Sequence, residues 1–93
     1  MSAYMVSYDL IKRKDYPELW DALKAYGTYA HILGSSWIIV SSQSANEICT
    51  ALLKHVDNDD KIIVTEVTSN SAWSMSFPET IRKWLRKHLW GQS

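Results

Sequence analysis

Apolar residues recur along this chain with two alternating periods, two and 3.6, and the order of those periods limits what it can fold into. Residues 3–9 alternate as a strand, with Tyr4, Val6 and Tyr8 on one face and Ala3, Met5 and Ser7 on the other. In "DYPELWDALKAYG", Tyr16, Leu19, Trp20, Leu23 and Tyr26 share one face of a helix. Asp15 with Glu18 has capping-box spacing, Pro17 suits a first turn, and Gly27 is a natural stop. "YAHIL" and "SWIIVS" flank Gly34-Ser35 as the two arms of a hairpin. Ser44 with Glu47 repeats the capping box and opens a second helix, whose Ile48, Leu52, Leu53 and Val56 are expected to face inward. "KIIVTEV" is a fourth strand. Pro78 opens a last helix over about 78–90, with Ile81, Trp84, Leu85 and Leu89 in one stripe.

Ninety-three residues hold one domain, 1–93, and 46% apolar content predicts a folded one. The order β-α-β-β-α-β predicts an α+β ferredoxin-like fold: an antiparallel sheet with two helices on one face and an added C-terminal helix. Ile38, Ile39 and Val40, like Ile62, Ile63 and Val64, are apolar on both sides of their strands, so both sheet faces should be covered, by the tail helix or by a second subunit. Five Trp and five Tyr are a heavy load for so small a core. Some of those rings are expected at a covered surface, and a homodimer is the simplest cover.

Ten basic and ten acidic residues balance, so no overall charge draws the chain to nucleic acid or to an anionic membrane. Cys49 is the single cysteine, which rules out an intrachain disulfide and fits a reducing cytoplasm. With no long apolar run, the expectation is a soluble cytoplasmic protein without membrane contact. The sequence has no Gly-rich phosphate loop, paired Cys sets, His-Glu-x-x-His or Gly-x-Ser-x-Gly elbow. His31, His55 and His88 lack ligand spacing, and the acidic run 57–60 lacks the glycine and glutamate of a calcium loop. That run reads as a solvated turn.

Asp9 is the residue that invites chemistry. A carboxylate closing a central strand is costly to bury unless it is paired, hydrogen-bonded or bound to a cation. It either accepts loop N–H groups or pairs with Lys12, Arg13 or Lys14, or it meets its twofold copy and offers hard oxygen ligands to Mg²⁺ or Mn²⁺. Such an ion activates water and steadies a phosphate, with Lys12, Arg13 and Lys14 on a nucleic-acid backbone. The tail helix places Arg82, Lys83, Arg86, Lys87 and Trp90 opposite its apolar stripe, a second candidate surface for RNA, DNA or a protein partner. Tyr8, Trp73 and Trp90 are the aromatics expected at a dimer or partner interface.

Several segments carry a resemblance: "YMVSYDL", "YPELWDALKAYG", "SSWIIVSS" and "NSAWS…WLRKHL". They resemble the SinR-like small proteins, which share their plan with the small CRISPR adaptation subunit and the VapD-type endoribonuclease toxins. The resemblance implies a homodimer associated with nucleic acid, with Asp9 as metal ligand and catalytic residue of a weak metal-dependent endonuclease. It also makes Lys12 and Arg13 phosphate contacts. The chain departs from the adaptation subunit in having only three Arg and in a helical C-terminal segment, where that family often ends in a strand. Some members scaffold other proteins without needing the aspartate. The alternative is therefore a non-catalytic interaction module, for example a phage-encoded inhibitor or adaptor using the aromatic and basic C-terminal surface. Single-strand binding in the manner of RNA-recognition domains is disfavoured, because "SSWIIVSS" lacks their glycine and paired aromatics.

Overall fold

A computed structural model of the chain describes residues 1–11 and 16–91. Strand β1 (Ser2–Asp9) leads to helix α1 (Pro17–Lys24), then to strands β2 (Tyr29–Leu33) and β3 (Ser36–Ser41). Helix α2 (Ala45–Leu52) runs into a 3₁₀ turn at Leu53–His55, strand β4 is Lys61–Val67, and helix α3 (Glu79–Leu85) continues as a π turn over Arg86–Trp90. The protein is thus an α+β domain with a four-stranded antiparallel sheet in the order β2-β3-β1-β4.

The local signals explain these boundaries. Ser44 Oγ accepts from the Glu47 N–H while the Glu47 carboxylate accepts from the Ser44 N–H, so the capping box fixes the start of α2. Helix α1 starts differently. Asp15, its expected cap, lies outside the described residues; Tyr16 stands at the cap position with extended backbone and no side-chain bond to the helix start, and Pro17 opens the helix. Gly27 has φ +88°, a conformation L side chains rarely adopt, and turns the chain into β2.

Two apolar layers sandwich the sheet. On the first face Tyr4, Val6, Tyr8, Trp37 and Ile39 pack with Leu19 and Leu23 of α1 and Ile48 and Leu52 of α2. On the second face Ala3 and Ile38 pack under Leu85 and Leu89, so the tail helix acts as the cover expected there. That cover is partial. Ile63 is 62% exposed, although both sides of β4 were expected to be covered. Leu53 is also exposed rather than inward: α2 ends at Leu52, and position 53 lies ~140° around the helix from Ile48. No helix among the described residues is long and apolar enough to cross a membrane.

Candidate functional site at the open sheet face

Alternation along β1 puts Tyr4, Val6 and Tyr8 against α1 and α2, and therefore Ala3, Met5, Ser7 and Asp9 on the second face. Pairing carries the same division across the sheet. Asp9 stands opposite Lys61, Ser7 stands between Ile63 and Ser36, and Ser36 stands opposite Leu33. The two serine hydroxyls share a hydrogen bond of 2.8 Å. Ser7, Asp9, Lys61 and Ile63 thus line a shallow hollow of about 300 Å³ at the end of β1 and β4, which the tail helix does not cover. Lys61 was not singled out from the sequence. Only the β1–β4 register, which joins positions 52 residues apart, sets it beside Asp9.

Two aspartates near this end have different surroundings. Asp60, from the run read as a solvated turn, is 8% exposed. Its carboxylate accepts the Ile11 N–H at 2.8 Å and the Asp57 N–H at 2.8 Å. Asp60 thereby does the loop-tying work that was one of the readings for Asp9. Asp9 is exposed, and its carboxylate makes no hydrogen bond or ion pair with another described residue. Among the described residues no three His, Cys, Asp or Glu side chains cluster as metal ligands. Lys12, Arg13 and Lys14, the expected phosphate contacts, lie outside the described residues.

Tyr8, expected at an interface, is a core residue 7% exposed. Its hydroxyl oxygen accepts the indole N–H of Trp20 at 3.1 Å and of Trp37 at 3.1 Å. Two indole donors, Trp37 buried and Trp20 half-buried, are satisfied by one phenol, which is what a small core with several indoles needs. His31 extends the cluster outward, stacked on Trp37 at 4.4 Å.

The tail surface is largely bound to its own chain. Arg82 pairs with Glu79 at 2.8 Å and donates to the Phe77 carbonyl at 3.0 Å, tying the 68–77 connection to the helix start. Arg86 reaches the same Glu79 at 3.4 Å, whereas Lys83 and Lys87 point to solvent. Trp90 donates its indole N–H to the Ser71 carbonyl at 3.0 Å and lies 4.3 Å from Trp73, yet stays 52% exposed. Loss of hydration, and then the neighbouring Lys87 charge, lower the pKa of His88.

A larger cleft of about 710 Å³ opens between α1 and α2, lined by Glu18, Asp21, Ala22, Tyr26, Gln43 and His55. Burial raises the Tyr26 pKa there. This cleft is on the other side of the sheet from Asp9, and no hydrogen bond or ion pair among the described residues links its Glu18, Asp21 or His55 into a catalytic set. No family model matches the chain, and no solved structure matches it.

Proposed function

We propose that this chain is a nucleic-acid-associated homodimer of the ferredoxin-like plan, similar to the CRISPR adaptation subunit, in which Asp9 serves a weak Mg²⁺- or Mn²⁺-dependent endonuclease. The order of elements and the central place of β1 support the plan. One observation carries the functional part: the Asp9 carboxylate ends a central strand, exposed and without a partner among the described residues, on the uncovered part of the second sheet face. Asp60, by contrast, is buried and tied to two backbone N–H groups.

The donor set fits a divalent ion only as a pair. Mg²⁺ keeps several waters and takes one or two carboxylates. One chain brings one carboxylate to this point, and a homodimer brings two. Arg82 and, at longer range, Arg86 both reach Glu79 within the chain, so phosphate contacts on the tail fall first to Lys87. The test is cleavage of labelled single- and double-stranded RNA and DNA, with and without Mn²⁺ or Mg²⁺, by the wild type and by Asp9→Asn. The expected result is cleavage that needs both the metal and Asp9; activity equal to the variant's background would overturn it.

A second reading, a non-catalytic protein-interaction module, is favoured by Trp90, half exposed over Trp73 beside Arg86 and Lys87. On that reading a protein partner survives Asp9→Asn and is lost on Trp90→Ala.

A further inference from the structure

We propose that a second copy of this chain docks on the open part of the second sheet face, Ile63 of each copy seated over Ser7 of the other. This rests on the homodimer reading above and gives it a surface. Along β4 one large apolar side chain projects there: Ile63, 62% exposed. Directly beside it in the register is Ser7, a short side chain held across the strands by its 2.8 Å hydrogen bond to Ser36. A ridge and a trough are therefore neighbours on one patch. A self-complementary interface requires this, because a twofold axis must bring each feature onto its opposite.

An axis running along the strands, between β1 and β4, exchanges the two columns of side chains. It sets Ile63 of one copy over Ser7 of the other. At the next level toward the strand ends it also sets Asp9 of one copy over Lys61 of the other, since Asp9 and Lys61 occupy the same two columns. Shape and charge are thus satisfied by one operator. Stacked sheets lie ~10 Å apart, a gap that one branched side chain over a serine fills without collision. The two carboxylates and two ammonium groups then sum to zero charge.

Sedimentation equilibrium of the full chain tests the surface, with wild type, Ile63→Glu, Asp9→Lys, Lys61→Asp and the double charge exchange. All these positions are exposed, and thermal melts check that each variant stays folded. Ile63→Glu is expected to weaken dimerisation about 100-fold or more, since it places a charge in each copy's buried contact. Each single charge reversal should weaken it about tenfold, and the double exchange should return it to within about threefold of wild type. A wild-type dimer indifferent to Ile63→Glu, or a double exchange no better than the singles, overturns this surface and leaves the homodimer reading standing. A wild type that stays monomeric at every concentration removes both.

Discussion

The two aspartates near the end of β1 show how much a residue's part depends on what surrounds it. Asp60 is buried and accepts two backbone N–H groups, one from each of two loops. Asp60→Ala leaves those donors without their acceptor and should cost about 2–3 kcal/mol, read from urea denaturation. Asp9→Asn removes an exposed charge with no partner among the described residues, and its stability should stay within about 0.5 kcal/mol of wild type. Equal losses would mean that Asp9 also carries structure. Tyr8 teaches the same lesson from the core. Nothing local in "VSYDL" reveals that its hydroxyl serves Trp20 and Trp37, which are 12 and 29 positions away.

Among the elements, the tail helix is the one whose surface and interior chemistry meet. Its last turn widens to a π turn closed by the Gly91 N–H on the Arg86 carbonyl, and a Cβ at Gly91 would stand 2.6 Å from the Lys87 carbonyl oxygen. His88 sits in that turn, with its ring 4.4 Å from Trp84. Burial first and Lys87 second hold its pKa below the usual 6.5. The folded chain therefore binds fewer protons than the unfolded one between the two values. The contribution is fully present above pH 6.5, and it declines as pH falls through 6.5 toward the folded value. A pH series of denaturation midpoints should show this slope in wild type and lose it in His88→Gln. The other elements were legible because their signals are local: the hairpin arms 29–33 and 36–41 and the Ser44–Glu47 box stand where the residues predict them. The α1 cap and the exposure of Leu53 were less so, since each depends on where the helix ends.

For the whole molecule, the tail helix turns a two-layer fold into three layers. Leu85 and Leu89 bury Ala3 and Ile38 on the second face. Leu89→Ala should cost about 3 kcal/mol through lost burial and a cavity, whereas Leu53→Ala, at a 48% exposed site, should change stability by less than about 0.5 kcal/mol. A calorimetric comparison of the two variants checks the layer assignment. Because the cover is incomplete, the same face that stabilises the fold also presents Ile63, Ser7, Asp9 and Lys61 together.

By itself the sequence determined the kind and order of the elements, because periodicity, caps and turn residues act over a few positions. It also set the alternation that places Asp9 on the face opposite Tyr8. Which strand lies beside which, and therefore that Lys61 faces Asp9 and Ile63 faces Ser7, was decided only by the tertiary structure. So was the division of labour between Asp60 and Asp9. Pairing register and burial are sums over contacts distant in the chain, and no short window of residues contains them.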